Sequence, residues 1–359
     1  MFTKDSAFRI GSGRYLQARG ALRDTAREVL LLGKKPFVLS GRTAFSVAGE
    51  GIRDSLSAAD IPFCTEIYGG ACCIEAAQEL AQKAKAEGCD VIVGVGGGVM
   101  MDLAKLVARY ADCPILNIPT STATCAAYTP LSVCYTKDFR TVGTAHHKKE
   151  VDCVIADPDI LIRQPPRLFL AGVFDAMAKH AEIRHWYKKG NEGFALGLDC
   201  ACLLAEHSFR ALSETTAACL AAIERGEVTE AFERAVFALI AVTGVISGIA
   251  RGSAQTALAH KLYETARALY PEQTRGALHG ELVGIGMLWQ NSYNGESEKN
   301  EALLSFMHAY GLPDNPRAAG IPSGEESLAA FSERIINHPK MKDADKPRLH
   351  TTLEKLWRI

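Results

Sequence analysis

The chain has 359 residues, more than one ordinary hydrophobic core contains, so two domains are expected. Hydrophobic residues make up 48% of it, enough for two packed cores, and 40 basic residues nearly balance 41 acidic ones. Because the sequence has no basic tract and no acidic tail, we expect neither a nucleic acid nor a membrane surface as a partner.

The start of the chain and its cysteines bear on the cellular compartment. Residues 1–20 carry dispersed charges and lack the apolar run of a signal peptide. The 11 cysteines are scattered and form no CxxC pair, which is typical of free thiols in a reducing compartment. The uncharged stretch at residues 235–250 is shorter than a membrane span of about 20 residues. We therefore expect a cytoplasmic protein with a buried helix at that stretch.

The first half of the chain alternates short apolar runs with amphipathic stretches. Runs of strand type occur at residues 36–40, 63–68, 91–95, 115–118 and 154–156. Helical spacing occurs between them, over residues 74–87 and 101–110. This alternation predicts an α/β domain with a mostly parallel sheet and helices on both of its faces.

A glycine-rich turn, Gly94-Val-Gly-Gly-Gly98, follows the strand-type run at residues 91–95, and Asp102 lies just after it. Glycines allow a ligand to approach the backbone closely, and the start of a helix offers unpaired N–H groups to a pyrophosphate. The spacing is not GxGxxG, so a plain tight turn is the alternative. We predict that Gly96, Gly97, Gly98 and Asp102 belong to a dinucleotide site.

The residues after the run at 36–40 bear on which dinucleotide binds. Proteins that bind NAD commonly place an acidic side chain near the end of this strand to hold the ribose hydroxyls. Here the sequence is Ser40-Gly41-Arg42, which has a cation and no carboxylate. This favours NADP over NAD, with a solvated surface charge as the alternative role of Arg42.

The character of the chain changes after Gln164-Pro165-Pro166, where Ala, Leu and Glu become frequent and strand patterns almost vanish. Helices are predicted over residues 175–188, 194–211, 228–249, 254–269 and 281–294. We therefore predict an α/β dinucleotide-binding domain over residues 1–163 and an all-α helical domain over residues 164–359.

Three residues of the helical half have side chains suited to a metal ion. Asp175 and His279 lie at predicted helix starts, and His260 lies in an alanine-rich helix. A carboxylate with two imidazoles suits a divalent Zn or Fe ion and leaves a coordination position open. Sequence separation does not show that they converge, and a lone histidine in an apolar helix is more often a hydrogen-bonded core residue. His146 and His147, beside two lysines, are expected to be exposed.

The chain resembles the iron-containing alcohol dehydrogenases, specifically their glycerol dehydrogenase-like branch. The resemblance covers nearly the whole chain and is carried, in order, by Gly94-Val-Gly-Gly-Gly98, Asp102-Leu-Ala-Lys105, Ile118-Pro-Thr120, Leu131-Ser-Val-Cys-Tyr135, Gly172-Val-Phe-Asp175, Ala259-His260, Leu278-His-Gly-Glu281 and Gly311-Leu-Pro313. It implies a dehydroquinate synthase-like architecture, with a dinucleotide domain, a helical domain and the active site between them. We also expect a homo-oligomer.

The resemblance implies roles for individual residues. Asp175, His260 and His279 match the metal ligands of the family, for zinc or iron, with manganese or nickel as alternatives. Gly97 and Gly98 match its pyrophosphate turn. The positions that touch the nicotinamide nucleotide, NADP or NAD, match Thr120, Thr129, Leu131 and Tyr135.

Three departures from the family pattern bear on the substrate and the ligand set. Cys125 stands where glycerol dehydrogenases have an aspartate that faces the polyol, and its surroundings resemble hydroxycarboxylate dehydrogenases, which reduce 2-oxo acids. Loss of that carboxylate removes repulsion of an anionic substrate; a small packing role for Cys125 is the alternative. Tyr263 replaces a second histidine. Lys179 replaces the histidine of the four-ligand branch, so three protein ligands are expected.

The sequence therefore predicts metal-dependent hydride transfer between NAD(P)H and a small carbonyl/alcohol pair, with Asp175, His260, His279 and Cys125 at the catalytic centre. The preferred pair is a 2-oxo acid and its 2-hydroxy acid. The alternatives are a glycerol dehydrogenase that uses NAD, a dehydroquinate synthase-type lyase and a non-catalytic nucleotide-binding relative. The lyase should need a basic cluster for a phosphate leaving group, and the sequence shows no clear one.

Overall fold

The structure, a computed structural model, describes residues 10–187, 195–250, 256–338 and 345–358. These residues divide into two compact units. The sheet unit contains residues 10–172 and 210–248, and the helical unit contains the described residues of 173–209 and 249–359. The segment 210–248 is helical yet belongs with the sheet, which composition alone does not indicate. The domain boundary between residues 163 and 164 stays a prediction.

The sheet unit contains the strands of the described chain, which are β1 (Arg14–Gln17), β2 (Pro36–Ser40), β3 (Cys64–Ile67), β4 (Val91–Gly96), β5 (Ile115–Pro119), β6 (Leu131–Tyr135), β7 (Thr141–His146) and β8 (Cys153–Ala156). Six form a parallel sheet in the order β1-β8-β5-β4-β2-β3, and β6 pairs with β7 in an antiparallel hairpin. The predicted parallel α/β sheet is confirmed. The sequence did not predict β1, β6 or β7, because their residues are only partly buried.

The helices are α1 (Thr25–Leu30), α2 (Arg42–Ala58), α3 (Ile74–Ala86), α4 (Gly98–Ala111), α5 (Pro158–Leu161), α6 (Pro166–Tyr187), α7 (Ala195–Arg225), α8 (Glu230–Phe237), α9 (Thr243–Ile249), α10 (Leu258–Leu269), α11 (His279–Asn294), α12 (Lys299–Ala309), α13 (Glu325–Ile336) and α14 (Lys346–Trp357). The predicted helix at 175–188 begins earlier, at Pro166 of α6, because proline is well tolerated in the first turn of a helix. The start of the helix predicted from residue 254 lies outside the described residues.

The helical run Glu230–Ile249 has the length and composition of a membrane span. It comprises α8, a π-helical turn at Ala238–Val242 and α9. This run of 20 residues is longer than the uncharged stretch at residues 235–250, because the charged residues at the start of α8 are also helical. Yet 61% of its apolar window is buried inside the protein, and Phe232 and Ile240 are fully buried. A core helix, as predicted for this stretch, accounts for the run.

Helices α10 and α11 cross closely in the helical unit. A Cβ atom built on Gly286 of α11 would lie 2.5 Å from the backbone oxygen of Ala259 in α10 and 2.6 Å from its Cα. Only glycine permits two backbones to approach so closely. Because Ala259 precedes His260 and α11 begins at His279, this crossing fixes the distance between the two candidate histidines.

Gly286→Ala is expected to destabilise the protein, because the added methyl group must push two backbones apart. The cost should be about 1–3 kcal/mol, the usual range for overpacking. Gly276→Ala is the matched control in the same unit, since nothing lies within 4 Å of a Cβ atom at that position. Thermal denaturation measures the difference, and equal melting temperatures of the two variants would contradict the prediction.

Candidate active site

The three candidate metal ligands of the helical unit converge. Asp175 lies in α6, His260 in α10 and His279 at the first position of α11, and one ligand atom of each lies within 4.8 Å of the others. Asp175 Oδ1 is 3.2 Å from His260 Nε2 and 3.4 Å from His279 Nε2. Ligand atoms bound to one tetrahedral ion at about 2.1 Å are about 3.4 Å apart. The residues present therefore fit a divalent ion.

The carboxyl group of Asp175 is held in its ionised form. Burial alone would raise its pKa, but the Lys179 ammonium and hydrogen bonds from His260 and His279 outweigh burial. The pKa of Asp175 is consequently well below its usual value. A metal ligand must be deprotonated, and Asp175 meets this requirement.

Glu182, two turns after Asp175 in α6, orients the imidazole of His260. Its Oε2 is 2.6 Å from His260 Nδ1, and its Oε1 accepts hydrogen bonds from the backbone N–H groups of His260 and Ala257. A carboxylate bound to Nδ1 fixes the ring so that Nε2 faces the other ligands. Sequence analysis missed Glu182, although its spacing of seven residues from Asp175 places both side chains on one face of the helix.

Glu182→Gln should weaken binding of a divalent ion by about 10- to 100-fold, the usual effect of altering a group that orients a ligating histidine. The amide keeps the size of the side chain but offers His260 no negative charge. Glu206→Gln, at an exposed position of α7 in the same unit, is the matched control. Competitive titration with Zn²⁺ and a chelator measures the affinity. Equal affinities for the two variants would rule out this role of Glu182.

Two departures from the family pattern also lie at this centre. Lys179, one turn after Asp175, is buried, with Nζ 3.3 Å from His260 Nε2 and 4.0 Å from Asp175 Oδ1. The ring of Tyr263 packs edge-on against that of His279, with centroids 4.2 Å apart. A cation and an aromatic ring therefore lie next to the ligands, at two positions where the family resemblance predicts histidines in other members.

The glycine turn of the sheet unit joins β4 to α4. Gly96 has φ 157°, and Gly97 precedes α4, which begins at Gly98 without a side-chain cap on its N–H groups. A Cβ atom would lie 2.7 Å from Met100 Cβ if built on Gly96, and 2.9 Å from Thr124 Oγ1 if built on Gly98. The turn therefore favours glycine at Gly96, leaves little room for a side chain at Gly98, and presents free backbone donors, as a pyrophosphate site does.

Strand order places this turn at a switch point of the parallel sheet. The chain runs outward from β2 to β3 and then returns to the other side of β2 through β4 and β5. Ligands of open α/β sheets bind at the carboxyl ends of the strands at such a point. Arg42 is exposed at the first position of α2, directly after β2, and the Thr120 N–H donates to the Gly96 oxygen at 2.9 Å. Arg42, the turn and Thr120 therefore share one edge of the sheet.

A buried ion pair holds the chain after β5 against α4. Lys105 Nζ is 3.0 Å from Asp102 Oδ1 and donates hydrogen bonds to three backbone oxygens, including those of Thr129 and Leu131. Asp102 Oδ2 accepts a hydrogen bond from the backbone N–H of Val133 at 3.0 Å. Asp102 is therefore bound by groups of the protein itself. The ion pair also holds the backbone of Thr129 and Leu131, which are two other predicted cofactor residues.

The structure also places three other side chains of this region. Cys125 is buried, and its backbone oxygen accepts a hydrogen bond from the N–H of Tyr128. Tyr135 ends β6. His147 is buried, with Nε2 2.8 Å from Ser132 Oγ, so the expectation that it is exposed was wrong. Pairing of β6 with β7 brings it against Ser132 despite its polar neighbours in sequence.

Comparison with known proteins defines the family. The model of the iron-containing alcohol dehydrogenase family matches residues 12–158. Glycerol dehydrogenase of Thermotoga maritima is 30% identical over 330 residues, or 90% of this chain and 88% of that protein. Hydroxycarboxylate dehydrogenase A of Escherichia coli is 30% identical over a region that covers 69% of this chain and 67% of that protein. The crystal structure of glycerol dehydrogenase from Schizosaccharomyces pombe superposes with a TM-score of 0.87 at 25% identity, over 99% of this chain and 91% of that chain.

The chain has a parallel sheet and a helical unit, and the similar proteins that match most of its length are dehydrogenases. These two findings together indicate an oxidoreductase. The chain belongs to the iron-containing alcohol dehydrogenase family. The resemblance and the fold class predicted from the sequence are thereby confirmed. Several of the similar proteins are glycerol dehydrogenases by name, so the comparisons support the polyol alternative more than the 2-oxo acid.

Proposed function

We propose that this protein transfers a hydride between a nicotinamide dinucleotide and a small alcohol/carbonyl pair, with the help of a divalent metal ion. The observation that carries this proposal is the convergence of Asp175, His260 and His279. When bound, such an ion acts as a Lewis acid on the carbonyl or alcohol oxygen. Membership of an alcohol dehydrogenase family supports the same class of reaction.

The residues of the chain hold and orient the reactants in this proposal. The carboxylate and two imidazoles suit zinc or iron, with manganese or nickel as alternatives. The N–H groups at Gly97 and Gly98 bind the pyrophosphate of the dinucleotide. The guanidinium of Arg42 favours NADP, with NAD as the alternative. A cytoplasmic location and a homo-oligomeric state remain predictions.

Two substrate classes are supported by different observations. The names of the relatives favour a polyol such as glycerol. Cys125 favours a 2-oxo acid as the second candidate, because it is uncharged and buried at the place where the family resemblance expects a carboxylate. An anionic substrate would meet less repulsion beside Cys125 than beside an aspartate.

Initial rates on metal-stripped protein reloaded with Zn, Fe, Mn or Ni test the proposal. Glycerol with NAD⁺ or NADP⁺ is compared with 2-oxoglutarate and NADH or NADPH. Turnover of either pair that requires the added ion supports the proposal. Turnover that persists in the stripped protein would overturn it, as would the lack of any nicotinamide oxidation or reduction. Net consumption of NADPH also excludes the lyase alternative.

A further inference from the structure

Lys179 is a buried cation in contact with the metal ligands. It is 3% exposed, and its Nζ lies 3.3 Å from His260 Nε2 and 4.0 Å from Asp175 Oδ1. Residues four positions apart lie on the same face of a helix, so Lys179 and Asp175 are neighbours on α6. The ammonium group therefore borders the space that the three ligand atoms surround.

The charges of the three ligands and of the two charged side chains in contact with them, Lys179 and Glu182, do not cancel when a divalent ion is bound. Asp175 and Glu182 supply two negative charges, Lys179 supplies one positive charge, and the ligating imidazoles are neutral. Addition of a divalent ion brings the sum to one positive charge, whereas the same set without Lys179 would be neutral. Water screens charges poorly in a buried site, so the extra positive charge favours an anion there.

We propose that Lys179 makes this centre select a substrate with an anionic oxygen group next to the reacting carbon, as in a 2-oxo or 2-hydroxy carboxylate. The inference rests on the proposed function, because it requires the substrate to bind at the metal centre. The ammonium of lysine is a compact charge with three hydrogen-bond donors, which suits a carboxylate oxygen. A phosphate ester offers the same chemistry, so the experiment includes both kinds of anion.

The experiment measures equilibrium binding rather than turnover. Zinc-loaded protein is titrated by calorimetry with lactate and with lactamide, its neutral isostere, and separately with glycerol 3-phosphate and glycerol. NADH or NADPH is present, because a reduced nicotinamide cannot react with an alcohol. We expect Lys179→Met to bind the anion about 10- to 100-fold more weakly, which is the effect of losing a hydrogen bond to a charged group. Its affinity for the neutral partner should not change.

Two variants serve as controls. Lys179→Arg keeps the positive charge and should retain most of the preference for the anion. Lys299→Met removes a partly exposed lysine of α12, which pairs with Glu296 at 3.3 Å and lies in the same unit. It should bind both partners as the wild type does. Should Lys179→Met fail to fold, Lys179→Gln replaces it as the neutral variant.

The outcomes separate the inference from the proposed function. If the protein prefers lactate to lactamide and the preference depends on Lys179, the substrate is a carboxylate. If it prefers glycerol 3-phosphate to glycerol in the same way, the substrate is a phosphate ester. Equal affinities of the zinc-loaded wild type for anion and neutral partner would overturn the inference, as would a Lys179→Met variant that weakens both partners equally or neither. A wild type that does not retain zinc would overturn the proposed function instead.

Discussion

Asp175→Ala is expected to abolish metal retention and turnover together. Its Oδ1 atom lies 3.2 Å and 3.4 Å from the two imidazole nitrogens, so it is the shared neighbour of the ligand set. The variant would remove the carboxylate from the three-ligand set and leave two neutral imidazoles beside the Lys179 ammonium, which weakens the attraction for a divalent ion. Lewis-acid assistance contributes several kcal/mol, and about 1.4 kcal/mol corresponds to a factor of ten, so turnover should fall at least about 1000-fold.

Metal content after gel filtration and turnover with added ion measure the two losses separately. His260→Ala should behave like Asp175→Ala. His308→Ala, which removes an exposed imidazole of the same unit that pairs with Asp314, should keep both the ion and the activity. An Asp175→Ala protein that retains stoichiometric metal would show that Asp175 is not a ligand, and one that is active without metal would refute the mechanism.

Lys105→Met should reduce the free energy of unfolding by about 3–5 kcal/mol, the range for removing one partner of a buried ion pair. Lys105 is buried, and the variant leaves Asp102 as a buried carboxylate without its cation. It also removes the donor to three backbone oxygens of the segment that contains Thr129 and Leu131. Binding of the dinucleotide should weaken as well, because this segment carries two of its predicted contacts.

Chemical denaturation followed by circular dichroism measures the stability change. Lys85→Met is the matched control, since Lys85 donates to the backbone oxygen of Tyr110 at an exposed site and should change stability by no more than about 0.5 kcal/mol. A double variant, Asp102→Asn with Lys105→Met, should recover part of the loss because no uncompensated charge remains. Strictly additive losses would contradict the ion-pair explanation.

The parallel sheet could be predicted because its central strands are buried on both faces. In β2, β4, β5 and β8 every residue is buried, so each appears in the sequence as a mainly apolar run, with Ser40 in β2 and Asn117 in β5 as polar members. Strand β1 has no such run, since its four residues are only partly buried or exposed. Its pairing with β8 joins residues far apart in the chain, and local patterns carry no information about that contact.

The side-chain types of Asp175, His260 and His279 made them ligand candidates in the sequence, but only the family resemblance indicated that they form one set. Its convergence depends on the close crossing at Gly286 and on the position of α6, neither of which the spacing of Asp175, His260 and His279 reveals. The buried contacts of Glu182 and Lys105 were not predicted, for another reason. A charged residue in a helix is ordinarily exposed, so burial of these two side chains becomes evident only in three dimensions.

One carboxylate, that of Glu182, binds the His260 imidazole and also the main-chain N–H groups at the start of α10. The ring is thereby locked to the helix that carries it before any ion arrives. An incoming cation meets an imidazole whose orientation is already set, so little conformational entropy is lost on coordination. This imidazole is therefore preorganised for coordination, so the geometry of the ligands contributes to selectivity for one ion over another, together with their chemical type.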